Sequence, residues 1–113
     1  MYYMNFDYLD YKTCDALKEL GYPLTAKKVE YEDNAIYIPG VTIYSAHDWL
    51  ICEKNIFVEI TMTFGRYDML VVSTKKEKDG RHKELWGEGG FKTYKEALYE
   101  GIKAAVRVLT AIL

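Results

Sequence analysis

The sequence predicts one α+β domain over residues 1–113, with an antiparallel sheet of about five strands and three helices in the order α-β-β-α-β-β-β-α. Three observations predict this class. Apolar residues recur every three or four positions in three segments, which is the period of a helix. In the segments between them, apolar and polar residues alternate, which is the period of a strand. The apolar fraction of 50% over 113 residues is typical of a chain that buries its own core.

The first element is a helix over residues 11–20. Asp10 precedes it and is a residue type that accepts hydrogen bonds from the free amides of a first helical turn. Gly21 follows it and supplies the left-handed conformation that ends many helices. Its predicted apolar stripe consists of Cys14, Leu17 and Leu20.

Two short alternating runs, 28–32 and 35–38, predict a hairpin that turns at Asp33-Asn34. Its acidic residues, Glu30, Glu32 and Asp33, are typical of a strand edge that is kept soluble. Nothing in their spacing indicates the shifted pKa values that acid–base catalysis requires.

A second helix is predicted over residues 44–54, with Asn55 in the left-handed position at its end. Its apolar face consists of Ile43, Ala46, Trp49 and Leu50. His47 and Ile51 lie on another side of this helix, so we expect the helix to make contacts on both of these sides. Together with Trp86 they form the predicted partner surface.

Three strands follow. Residues 56–64 alternate without a break, which predicts a core face made of Ile56, Val58, Ile60, Met62 and Phe64. Residues 67–75 contain a continuous apolar run, which predicts burial on both faces. Asp79-Gly80 predicts the turn into the third strand, 81–86, and the glycines after it, Gly87, Gly89 and Gly90, predict a flexible bend.

The last helix begins with a capping box, in which Thr93 and Glu96 bond each other's backbone amides. Its predicted core stripe runs to the end of the chain: Tyr94, Leu98, Ile102, Ala105, Leu109 and Ile112. Beyond Lys103 this helix is apolar on nearly all sides, which predicts burial in its own core or a homo-oligomer formed through this helix.

The residues that carry chemistry do not form a recognisable site. Cys14 and Cys52 lie in predicted helices without metal-ligand spacing, so we expect two buried free thiols and no metal. Either thiol beside His47 could be drawn as a nucleophile and a base, but no nucleophile elbow, P-loop or dinucleotide fingerprint is present. We therefore expect no catalytic residue and no cofactor, and a binding protein rather than an enzyme.

The formal net charge of −2 hides two unlike halves. Residues 1–60 contain ten acids and five bases, a net −5, and residues 61–113 contain seven acids and ten bases, a net +3. The basic residues near the Asp79-Gly80 turn and the last helix are candidates for binding anions or nucleic acid. They are Lys75, Lys76, Lys78, Arg81, Lys83, Lys92 and Lys95.

From residue 44 onward, the order helix, three strands, helix resembles a double-stranded-RNA-binding domain. In that family a glycine-then-lysine motif opens the last helix, and here Lys92 and Lys95 are the only matching lysines. The Gly65-Arg66 turn is too short for the family's groove-reaching loop. We therefore treat this match as one of topology.

Three segments together resemble a group of short proteins encoded by phages and mobile elements of gut anaerobes. They read LKELGYP at 17–23, HDWL at 47–50 leading into IFVEI at 56–60, and FKTYKEAL at 91–98. The resemblance brings no activity and no catalytic residue to this chain. It implies a small accessory protein in a bacterial cytoplasm that acts on host or defence machinery.

Three functions remain open: a protein-binding protein, a nucleic-acid or nucleotide binder, and a small enzyme. The 11 tyrosines favour the first, since Tyr gives large contact area at low entropic cost, although some tyrosines also fill cores.

No run reaches the roughly 18 apolar residues that span a membrane, and the N-terminus lacks a signal peptide's basic region. We therefore expect a cytoplasmic protein that does not enter a membrane.

Overall fold

The computed structural model describes residues 5–112 and confirms an α+β fold in the predicted order of elements. The five strands form two antiparallel sheets, one of two strands and one of three, whereas the sequence predicts a single sheet of about five strands. The elements are α1 (Tyr11–Glu19), β1 (Lys27–Tyr31), β2 (Asn34–Ile38), α2 (Ile43–Lys54), β3 (Ile56–Thr63), β4 (Arg66–Lys76), β5 (His82–Phe91) and α3 (Tyr94–Ile112).

The predicted caps of α1 and α2 are present. An Asp10 carboxylate oxygen accepts from the Thr13 amide at 2.8 Å at the start of α1, and Gly21 has a φ of 104° after its end. The Thr42 hydroxyl accepts from the Ser45 amide at 3.1 Å, so α2 begins at Ile43. Asn55 ends α2 in the left-handed conformation, as predicted.

The larger sheet, in the order β3-β4-β5, has one face covered by α3. Val58, Met69 and Val71 are buried on this face. Gly101 lets α3 come close to β3, because a Cβ atom at this position would lie 2.3 Å from Val58 Cγ1. α1 and α2 pack against α3, and this arrangement closes the core.

The core is shorter than the apolar pattern predicts, and the assignment of Met62 and Phe64 to it was wrong. Ile56 and Val58 are buried, but Met62 is 67% exposed and Phe64 is fully exposed. These two residues lie toward the β3–β4 turn, where the hairpin extends beyond the helix that covers it. Tyr94 and Ile112, at the two ends of α3, are also exposed, so their assignment to the core stripe was wrong as well.

The glycines after Trp86 do not form a bend, because they continue β5 to Phe91. Gly87 pairs with Leu70, and a register shift follows between Glu88 and Phe91, where the strand bulges. The Asp68 carboxylate accepts from the Gly90 amide at 3.2 Å. Gly90 has a φ of 86°, a left-handed conformation that L side chains rarely adopt, so the bulge favours glycine at this position.

The start of α3 differs slightly from the predicted capping box. The Thr93 hydroxyl accepts from the Glu96 amide at 3.1 Å. The Glu96 carboxylate returns a bond to the Lys92 amide at 3.2 Å rather than to that of Thr93. Within residues 5–112, no helix combines the length and the apolar content needed to cross a bilayer.

Candidate functional site

The β1–β2 hairpin presents an apolar face to solvent. Its strands pair in a register that puts Val29 opposite Ile36 and Lys27 opposite Ile38. The turn falls at Glu32 and Asp33, one residue earlier than predicted, because Tyr31 pairs with Asn34. Alternate residues of a strand point to the same face. That face, which we call the outer face, therefore carries Val29, Tyr31, Ile36 and Ile38, each between 37% and 54% exposed.

The opposite face of the hairpin is fixed to α1. The Tyr37 hydroxyl donates a short hydrogen bond to the Asp15 carboxylate, and Lys28 Nζ lies 3.0 Å from the other oxygen of that carboxylate. The bond from Tyr37 lowers the pKa of Asp15, with help from Lys28. The same bond raises the pKa of Tyr37 to about 12. This contact holds the hairpin in place while its outer face stays uncovered.

Within residues 5–112, α1 is the helix that contacts this hairpin, and the larger sheet does not extend it. An isolated two-stranded hairpin is marginally stable in water, since it buries too little apolar surface. An apolar outer face adds to this deficit. Rimmed by polar residues, such a face is typical of an interaction site.

A cleft of about 390 Å³ lies beside the hairpin, between β2 and the segment that leads into α1. That segment is held by backbone bonds, from the Leu9 amide to the Val41 carbonyl at 2.9 Å and from the Ile43 amide to the Asp7 carbonyl at 3.0 Å. Gly40 admits the ring of Tyr8, whose Cδ1 would lie 2.6 Å from a Cβ atom there. The residues that line the cleft are Tyr8, Leu9, Asp10, Tyr11, Asn34, Ala35, Ile36, Tyr37 and Gly40.

A second cavity, of about 320 Å³, lies next to this cleft on the inner side of the hairpin, and the two share Tyr11, Asn34 and Ala35. Glu30, Glu32, Asp33 and Lys28 complete its lining. The three acids and one base give this end a formal charge of −2, and the base is already bound to Asp15. The two adjacent cavities, which together we call the groove, thus have a mainly apolar part and an acidic part.

Tyr37 and Asp10, two titratable groups that line the cleft, have shifted pKa values. The pKa of Tyr37 is raised to about 12. Burial raises the pKa of Asp10, but the bonds from Thr13 and the charge of Lys103 outweigh burial and lower it overall. Both groups are moved away from neutral pH, where a general acid or base works best. Neither group is therefore poised for proton transfer at neutral pH.

The structure separates the predicted basic residues into two groups. One group surrounds the loop between β4 and β5, and all of its side chains are exposed: Lys75, Lys76, Lys78, Arg81 and Lys83. Lys92 and Lys95 follow the other end of β5, which at about 3.3 Å per residue is roughly 30 Å away. Lys95 Nζ is also bound to Asp7 at 2.7 Å.

The predicted partner surface of Trp86, His47 and Ile51 is also divided. His47 and Ile51 are half-buried on α2, beside β3. Trp86 lies on β5, at the opposite edge of the sheet, where its Nε1 donates to the Glu88 carboxylate at 2.8 Å. His47 Nε2 accepts from the Val58 amide at 2.9 Å, so it already has a structural role.

The cysteines differ from each other, and the expectation that both are buried was wrong for Cys52. Cys14 is buried, and burial raises the pKa of its thiol to about 12, with Asp10 and Asp15 adding to the effect. Cys52 is exposed on α2. Within residues 5–112, no group of three or more His, Cys, Asp or Glu side chains is placed to hold a metal ion.

Sequence reasoning predicted the hairpin but missed its outer face. The available signal was the run Ala35-Ile36-Tyr37-Ile38, in which every position is apolar. Such a run places apolar side chains on both faces of a strand. In a two-stranded hairpin packed on one helix, only one of the two faces can be covered.

Comparison with protein-family models, with curated proteins and with solved structures finds no match to this chain.

Proposed function

We propose that this chain is a small non-catalytic binding protein that holds a protein partner on the β1–β2 hairpin. The observation that carries the proposal is the outer face, with Val29, Tyr31, Ile36 and Ile38 all exposed on one side of two strands. An accessory role toward a host or defence protein agrees with the resemblance to phage and mobile-element proteins.

The composition of the outer face supports a protein partner. Aromatic residues are enriched and charged residues are depleted at the centre of protein interfaces, and polar residues form the rim. Here Tyr31 and three aliphatic side chains form the centre, and Lys27, Glu32 and Asp33 lie around it. Covering these side chains would also stabilise a hairpin that buries little surface in the free chain.

The test is capture of proteins from a lysate of the native bacterial host by the immobilised chain, with identification by mass spectrometry. The informative variant is Tyr31→Lys with Ile38→Lys, since both side chains are about half exposed and their replacement spares the core. A matched control is Met62→Lys with Phe64→Lys, which makes the same chemical change on the other sheet.

We expect the wild type and the Met62/Phe64 control to hold the same protein. The Tyr31/Ile38 variant should lose at least nine tenths of the captured protein, which is a tenfold change and corresponds to about 1.4 kcal/mol of binding free energy. Melting curves of all three chains show whether folding is preserved. Equal capture by the three chains, or no protein held above the level of a blank matrix, would contradict the proposal.

A second candidate is nucleic-acid binding by the basic loop between β4 and β5. The observation that favours it is the group of five exposed bases around the loop, for which the structure of residues 5–112 places no acidic group within ion-pair distance: Lys75, Lys76, Lys78, Arg81 and Lys83.

This candidate predicts binding to RNA or DNA that weakens as salt rises, because phosphate contacts release counterions. Fluorescence anisotropy with labelled single- and double-stranded oligonucleotides checks it. Lys76→Gln with Lys78→Gln should weaken binding and reduce the salt slope by about 2. Anisotropy that stays flat up to tens of micromolar protein at low salt would remove this candidate.

A further inference from the structure

We propose that the groove beside β2 binds an extended peptide segment of the partner, which pairs with β2 as a third strand and carries alternating apolar residues with a Lys or Arg near one end. This inference depends on the proposed function and identifies the class of partner that the hairpin recognises. Three features support it: the free edge of β2, the residues that line the groove, and the charge of the groove.

The edge of β2 offers backbone groups for pairing. In a two-residue hairpin the residues that close the turn are hydrogen-bonded to each other, so the backbone groups of Asn34, Ile36 and Ile38 point toward β1. Those of Ala35 and Tyr37 therefore point away from β1. The Ala35 amide confirms this direction, because it donates at 2.8 Å to the side-chain oxygen of Asn34 instead of to β1.

The remaining groups on this edge face the groove. They are the Ala35 carbonyl and the amide and carbonyl of Tyr37, and residues 5–112 provide no bonding partner for them. An exposed strand edge of this kind is the template on which peptides bind by strand addition. The five residues of β2 extend over about 17 Å, so an added strand has about five residues.

One wall of the groove is aromatic and preformed. Tyr8 and Tyr11 line the groove beside β2, and Tyr11 also lies under the hairpin, where Lys28 Nζ is 5.5 Å from its ring centroid. Tyr8 is held in place by the bridge between its own backbone and Thr42, and by the close approach of its ring to Gly40. The volume of about 390 Å³ lies within the range of ligand-binding clefts. Alternate side chains of an added strand point to the same side of the hairpin as Ala35 and Tyr37, which is the side on which α1 lies.

The charge of the groove determines the second feature of the peptide. Near Asn34 the lining includes Glu30, Glu32 and Asp33, and the single base there, Lys28, is shared with Asp15 and Glu30. A Lys or Arg side chain from a bound strand would neutralise this excess. A strand that enters the groove pairs with β2 along one edge and has the residues of the groove along its other edge, so both of its edges must be free. Every described strand of a second copy is already paired along at least one edge, so a peptide of another protein fits better.

The experiment uses a phage-displayed library of random 12-residue peptides, selected on the full chain. The most enriched sequences are synthesised, and their affinity is measured by fluorescence anisotropy. We expect alternating apolar residues with one Lys or Arg near one end. N-methylation of the peptide backbone should weaken binding at least about tenfold at every second residue and leave the residues between unaffected, because only alternate amides pair with β2.

Matched variants locate the peptide. Tyr8→Ala should weaken binding at least about tenfold, whereas Tyr44→Ala, an equally exposed tyrosine elsewhere, should not. Glu32→Gln with Asp33→Asn should weaken the basic peptides about three- to tenfold. Glu59→Gln with Glu84→Gln makes the same change of charge on the larger sheet and should have no effect.

Four results would overturn the inference. They are no enriched sequence, N-methyl effects without alternation, equal affinity for the Tyr8 and Tyr44 variants, or a dimer in sedimentation that the peptides dissociate. The proposed function fails separately. If host-protein capture is lost with Tyr31→Lys and Ile38→Lys but the peptide results are negative, the outer face alone binds the partner. If capture does not depend on the hairpin, both proposals fail.

Discussion

The His47 Nε2 atom accepts a hydrogen bond from the Val58 backbone amide at 2.9 Å, and this bond ties α2 to the edge of β3. The His47 ring lies 5.1 Å from the ring of Phe57, centroid to centroid. Burial lowers the pKa of His47, and the charge of Asp48 only partly opposes this effect. The neutral ring is therefore the form that the fold requires, since a protonated ring has no acceptor.

The first prediction concerns the pH dependence of stability. An unfolded chain protonates His47 near pH 6.5, and the folded chain does so only at lower pH. Between these values the unfolded state binds more protons, so the free energy of unfolding falls as the pH falls below about 6.5. We therefore expect the free energy of unfolding to be lower at pH 5 than at pH 7.5, with part of this loss due to His47, as measured by urea unfolding.

The control separates His47 from the other groups that titrate. His47→Gln keeps an acceptor for the Val58 amide but does not titrate, so its stability should decline less over the same pH range. An identical pH dependence in the wild type and in His47→Gln would refute the prediction.

The second prediction concerns the contact between α3 and β3. Gly101→Ala improves helix propensity by about 1 kcal/mol, but the new Cβ atom would lie 2.3 Å from Val58 Cγ1 in a closely packed core. We expect the clash to dominate and the free energy of unfolding to fall by about 1–3 kcal/mol. Chemical denaturation of the single variant measures this loss.

The double variant Gly101→Ala with Val58→Ala tests the cause of that loss. Val58→Ala removes the atom that clashes, so the double variant should be more stable than the sum of the two single effects predicts. A strictly additive result would show that the cost at Gly101 arises elsewhere.

The third prediction is that Phe64→Asn stabilises the chain. Phe64 is fully exposed and has a φ of 51°, a left-handed conformation that Asn adopts more readily. Because Phe64 is fully exposed, its replacement removes no buried apolar surface, and it relieves backbone strain. Thermal unfolding should therefore show that the free energy of unfolding rises by about 0.5–1 kcal/mol. Met62→Asn on the same hairpin lies in a strand, where Asn is disfavoured, and should give no gain.

The fourth prediction concerns the thiols. A thiol-specific reagent at pH 8 should modify one cysteine rapidly in the native chain and both in denaturant, because Cys14 is buried and its pKa is raised to about 12. Cys52→Ser should abolish the rapid reaction, and Cys14→Ser should leave its rate unchanged. Rapid modification of Cys14 in the native chain would contradict the buried position assigned to it.

Local patterns predicted the elements well because local chemistry determines them. Asp10, Asn55 and Thr93 act at helix ends as their residue types predict. The failures are of another kind. Met62 continues the alternation of its strand, but α3 does not extend far enough to cover it. The glycines of β5 appear as a bend in sequence, yet a bulge on Asp68 keeps them in the strand.

The sequence by itself determined which segments become helices and strands, since period, caps and turn residues act over a few neighbouring positions. Only the tertiary structure decided which apolar residues are buried, because burial depends on whether a distant segment covers them. The hairpin shows the difference. Ala35 and Ile36 are adjacent and both apolar, but α1 packs against one face of β2, so Ala35 is buried and Ile36 remains available to a partner.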